Sequence, residues 1–136
     1  MRPISRALLL PSLLALLASC AMPDAVTPTP PLSGDWGGAH VALTLGASGG
    51  RIEYDCGHGT LDAAVAPGPG GAFSVPGTHS REGGPARIDA PPESTPARYD
   101  GIVTGNRMTL RVQAGTDTLG PFVLQRGAPA QLLKCL

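Results

Sequence analysis

Apolar and polar positions along the chain follow a β-type period from about residue 40 onward. In "HVALTL" (40–45), Val41, Leu43 and Leu45 share one face while Ala42 and Thr44 take the other. A repeat of two is what a half-buried strand requires. The glycine-rich stretch 46–50 reads as a turn, and in "RIEYDC" (51–56) Ile52, Tyr54 and Cys56 alternate with Arg51, Glu53 and Asp55. Together the two segments predict a hairpin. Residues 61–66 predict a third strand, ended by "PGPGG", and "AFSV" (72–75) a fourth, stopped at Pro76 and Gly77. Residues 78–97 have no period and contain four prolines, which predicts a long loop. "RYDGIVTG" and "RMTLRVQ" flank a turn at Gly105-Asn106, with Met108, Leu110 and Val112 on one face. "GPFVLQRG" places Phe122 and Leu124 together, and the tail "QLLKCL" predicts a last short strand that carries Cys135 inward. A short helix over 128–133 is the alternative for that tail.

Seven or eight short strands separated by glycine turns, with no long helical period, predict an all-β domain. A small antiparallel up-and-down β-barrel is the expected architecture, because the connections are short; a β-sandwich is the alternative. Ser33 and Asp35 read as a polar lead-in to the first strand, and the domain is expected to start near residue 33. Gly57 and Gly59 are expected to end a strand around His58, since glycine weakens strand interiors.

The first 19 residues do not fit this domain. "MRPISRALLLPSLLALLAS" has a basic start at Arg2 and Arg6, then a leucine- and alanine-rich run, the layout of an export signal. Leu17-Ala18-Ser19-Cys20 resembles the lipobox of bacterial lipoproteins. That resemblance implies lipidation of Cys20 as the mature N-terminus, and more than one acyl chain anchors stably. Ala21, in place of an aspartate, implies delivery to the outer membrane, facing the periplasm. Ordinary secretion with Cys20 as a free thiol is the alternative. Residues 20–32, rich in proline and threonine, read as a disordered tether.

Charge and cysteine content narrow the partners. Removing Arg2 and Arg6 from ten basic residues leaves eight against ten acidic ones, a net charge near −2. No basic face is available for nucleic acid, so that partner is not expected. Cys56 and Cys135 are the remaining cysteines, and in an exported chain they predict one disulfide across 79 positions. With five aromatic residues, 19 glycines and 15 prolines, the core is modest and such a bridge matters.

Five stretches resemble a group of small exported bacterial proteins that has no established activity. They are Trp36-Gly37-Gly38-Ala39-His40, Asp55 to Gly59, Pro96 to Gly101, Met108 to Leu110, and Lys134 to Leu136. The resemblance spans nearly the whole domain and implies a shared fold without implying a reaction. Gly34-Asp35-Trp36 is also similar to the G-x-W opening of lipocalin- and avidin-like barrels, which implies that the tryptophan closes one end.

Chemistry-bearing residues are few. His40, Cys56 and His58 are zinc-type ligands, but Cys56 cannot be both a thiolate and half of a disulfide. A nucleophilic Cys56–His58 pair meets the same objection. No catalytic residue, metal or cofactor is therefore expected. His79, Arg81, Glu82 and Arg87, on the 78–97 loop, are the expected contacts to a partner, because recognition concentrates on loops carried by rigid scaffolds. The leading expectation is a lipid-anchored envelope protein, without catalytic activity, that binds a small molecule or a protein. An inhibitor of a secreted protease or lysozyme, acting through the 78–97 loop or the N-terminal arm, is the alternative. A metal-dependent enzyme using His40 and His58 is the third.

Overall fold

A computed structural model of the protein describes residues 27–83, 89 and 93–135. The expected export signal, Cys20, the first half of the expected tether and Arg87 lie outside the described residues. Eight strands follow one another: β1 (Gly34–Gly38), β2 (Val41–Gly46), β3 (Gly49–Tyr54), β4 (Gly57–Leu61), β5 (Ala72–Arg81), β6 (Ser94–Thr104), β7 (Arg107–Ala114) and β8 (Asp117–Arg126). Each pairs with its sequence neighbours, and β8 returns to β1, so the sheet closes into an antiparallel barrel. Every strand thus has a neighbour on both sides, and the sandwich alternative is set aside. The β1–β8 ladder is the shortest: only Trp36, Gly37 and Gly38 register, opposite Arg126, Gln125 and Leu124.

Alternation fills the barrel. Val41, Leu43, Ile52, Met108, Leu110, Val112 and Leu124 all point inward and are buried, with Trp36 and Tyr99 the largest side chains among them. Burying each such side chain contributes roughly 1.5–3 kcal/mol.

Several elements differ from the expected ones. β1 includes Asp35, read as part of a lead-in, and the strand expected at 61–66 is instead β4, Gly57–Leu61. Gly57 and Gly59 do not end a strand; they are the inward-facing positions of β4. Glycine is needed there because a side chain at Gly57 would press on the Ser80 carbonyl, and one at Gly59 on Tyr99 and the Thr78 carbonyl. A Cβ on Gly59 would collide with the Tyr99 hydroxyl, and one on Gly77 would sit 2.8 Å from its ring. Val65, expected in the third strand, is instead buried in the β4–β5 connection, where its carbonyl accepts the Leu32 amide at 2.7 Å.

β5 runs through Pro76 and Gly77 to Arg81. Pro76 breaks nothing because the β4–β5 ladder ends one residue earlier, at Leu61↔Gly77. Its carbonyl faces that end and accepts the Asp62 amide at 2.8 Å, so its missing donor removes no ladder bond. The long connection accordingly shrinks to 82–93.

The tail forms neither a helix nor a full strand. From Gly127 it runs back along the outer face of β1, with one parallel bridge, Ala39↔Gln131. Gly37 permits this: a Cβ there would lie 2.8 Å from the Ala130 nitrogen. Cys135 is thus carried outside the wall, not inward, and Cys56 sits exposed in the two-residue turn after β3.

The meander gives the barrel two unlike ends. Turns 47–48, 62–71 and 105–106 and the incoming chain share one. There Arg126 stacks over the Trp36 ring at 4.4 Å and donates to the Ser33 carbonyl at 3.0 Å. Turns 39–40, 55–56 and 115–116, the end of β5 and the start of β6 surround the other, which is called the mouth below.

Candidate functional site

The mouth holds a cavity of about 290 Å³. Its floor is aromatic and apolar. Tyr54, the last residue of β3, lies 5.4 Å from the His79 ring and 5.5 Å from Phe122 between ring centres, within the range of favourable aromatic contacts. Leu119 completes the floor. Leu119 and Phe122 both face inward because β8 bulges: Leu119 registers with Val112 and Phe122 with Leu110, so Gly120 and Pro121 oppose Arg111 alone.

The floor is uncharged at neutral pH. Burial, together with the neighbouring Tyr99, pushes the Tyr54 phenol far above its ordinary value, and burial raises Tyr99 as well. The two hydroxyls approach to 3.5 Å, and Tyr99 donates to the Thr78 carbonyl at 2.6 Å. Burial, with added repulsion from Arg81 and His58, holds His79 below the ordinary imidazole value of 6.5. Its Nδ1 is buried without a hydrogen-bond partner.

Charges ring the rim, and most are saturated. Asp55 accepts the Leu133 amide at 2.8 Å and His40 Nδ1 at 2.6 Å. Those bonds, the amide's first, hold its carboxyl below the usual range. Glu82 accepts His58 Nδ1 at 2.7 Å and Lys134 Nζ at 3.2 Å, and is lowered for the same reason. Lys134 also reaches Glu53 at 3.0 Å and the Tyr54 carbonyl at 3.1 Å. Burial alone would depress Lys134, but its two carboxylates raise it overall. The tail is thereby fastened to the rim, and Cys56 and Cys135 complete the attachment as a disulfide with Cα atoms 5.0 Å apart.

One rim pair differs. Arg81 ends β5 and Asp117 begins β8, strands separated by β6 and β7, so their 3.5 Å contact spans the mouth. The two side chains are 78% and 67% exposed. Such a pair contributes about 0–1 kcal/mol and opens readily.

No family model matches this chain, and no curated protein or solved structure does either. Among the described residues, no helix is long and apolar enough to cross a membrane, which says nothing of the acylation expected at Cys20.

The expected site residues are redistributed. His79 and Arg81 are not loop residues; they face the mouth from the wall of β5, which continues past the proline expected to stop it. Glu82 follows directly and acts as a clasp for His58 and Lys134. His40 and His58 hold different carboxylates, Asp55 and Glu82, rather than converging. Cys56, bridged to Cys135, has no thiolate to offer as ligand or nucleophile. Among the described residues, no three His, Cys, Asp or Glu side chains are grouped so as to hold a metal. Leu119 and Asp117 were absent from the sequence expectations, and Phe122 was expected only as a strand residue sharing a face with Leu124. The broken alternation in "LGPF" was the available signal, since two apolar residues three apart share a face only across a bulge.

Proposed function

We propose that this protein is a lipid-anchored binding protein of the bacterial envelope that holds a small apolar or aromatic group in the barrel mouth without transforming it. The cavity over Tyr54, His79, Leu119 and Phe122 carries this reading, because it is a concave, mostly apolar site with a few polar groups at its edge. The state of those groups favours binding over turnover. Tyr54 and Tyr99 stay protonated, Cys56 is oxidised, and among the described residues nothing orients His79 as a base.

The direction of the chain supports the anchored arrangement. The tether meets the barrel at the closed end, at Leu32 and Gly34, so an acylated Cys20 would leave the mouth facing away from the membrane. A solute therefore suits the site better than a bilayer lipid. Intact mass of membrane-extracted protein tests acylation at Cys20. Amide chemical shifts recorded against a panel of small aromatic compounds test the cavity. Shifts confined to residues 54–57, 79–82 and 117–122 are expected; the absence of any such response at millimolar concentration would sink the proposal.

A further inference from the structure

The charges above the cavity narrow the ligand class, on the reading that the mouth is a binding site. Asp55, Glu82 and Lys134 each already have two or more partners within the protein. Among the described residues, Arg81 and Asp117 are held only by each other, through a single long contact directly over the aromatic floor. Arg81 offers a planar fork that can bind a carboxylate through two parallel hydrogen bonds. Asp117 can accept from an ammonium group. An anionic ligand that takes Arg81 leaves Asp117 without a partner, and a cationic ligand does the reverse. A ligand carrying both charges on one carbon inserts into the pair and satisfies both groups.

Size points the same way. A cavity of about 290 Å³ is at the small end of ligand sites, which run from roughly 300 to 1,000 Å³. It suits one side chain rather than a peptide or an acyl tail. We propose that the mouth binds a free zwitterionic amino acid with an aromatic or large apolar side chain. Its carboxylate lies on Arg81, its ammonium group on Asp117, and its side chain on Tyr54, Leu119 and Phe122.

Calorimetry on the intact protein tests this with four probes: L-phenylalanine, 3-phenylpropionate, phenethylamine and glycine. L-phenylalanine should bind about tenfold more tightly than either singly charged analogue, a factor at the low end of what a hydrogen bond to a charged group contributes. Glycine should bind most weakly. Arg81→Met and Asp117→Asn should each weaken L-phenylalanine about tenfold, and Asp117→Asn should leave 3-phenylpropionate unchanged. Both side chains are largely exposed, and unchanged Trp36 emission verifies that the variants fold. If either singly charged analogue binds within threefold of L-phenylalanine, the zwitterion assignment is overturned while the cavity still binds aromatic groups. If no probe gives heat or moves the mouth resonances, the binding-site reading falls with it.

Discussion

Replacing Cys56 and Cys135 together by serine isolates what the covalent strap contributes. The bridge joins residues 79 positions apart. A loop of that size, closed in the unfolded chain, stabilises the fold by about 4.5 kcal/mol at 25 °C in the chain-entropy description. The native contacts of the tail remain available to the variant: Leu133 and Cys135 amides on Asp55, Gln131 on Gly38, and Lys134 on its carboxylates. The loss should therefore come mainly from the released unfolded ensemble. Against a typical domain stability of about 5–15 kcal/mol, that is a large fraction. With a urea m-value of about 1.5 kcal/mol/M, the midpoint should fall by about 3 M, and m should rise as the freed chain exposes more surface. The single tryptophan reports the transition, since Trp36 is 1% exposed under Arg126. Truncation after Ala130 in the serine background should cost only about 1 kcal/mol more, the worth of exposed polar contacts. A serine variant within about 1 kcal/mol of the parent would refute the reasoning, because it would show that the bridge does not restrict the unfolded chain.

Other substitutions probe the packing and the rim. Gly59→Ala drives a methyl into the Tyr99 hydroxyl and the Thr78 carbonyl and should cost about 1–3 kcal/mol or more by calorimetry, with most of the loss remaining in a Tyr99→Phe background because the carbonyl stays in place. Arg126→Leu removes the stacking on Trp36 and the bond to the Ser33 carbonyl, for about 1–2 kcal/mol and an altered tryptophan emission. Asp55 and Glu82 titrate below their ordinary values of 3.8 and 4.5 in the fold, so the stability they supply is complete above those values and is lost as pH falls through the lower folded ones. In the serine background the Leu133 amide resonance should keep its bonded shift through the ordinary carboxylate range and lose it only at lower pH, as Asp55 is protonated. Lys134 is raised above 10.5, so its contribution should persist through neutral pH and vanish only as pH climbs past that value.

Legibility in the sequence depended on where the large side chains fell. β2, β3 and β7 could be read because their inward positions carry Val, Leu, Ile, Tyr and Met, which make the period of two visible. β4 could not, because its inward residues are Gly57, Gly59 and Leu61, and the mass that fills that part of the lumen is Tyr99 from β6. Pro76 misled for a related reason: whether a proline ends a strand depends on where the neighbouring ladder stops, which is a matter of register between distant segments. That error moved His79 and Arg81 onto a loop, whereas they line the mouth from β5. The partner of Arg81 lies three strands away in Asp117, and no local pattern announces a contact across the barrel.

The tail along β1 makes the molecule a hoop as well as a barrel. From Cys56 through β4 to β8, then back up the tail to Cys135, the backbone is one covalent ring, and its last section passes outside β1. β1 contributes to the shortest ladder and is also the strand at which the tether enters. A pull on the N-terminus therefore loads the weakest seam first. With the ring closed, β1 cannot swing outward and must slide lengthwise, breaking its bonds to β2 and β8 together. With the ring cut, the same pull can peel it away one pair at a time. The disulfide thus sets how the fold would fail under a pull on its first strand.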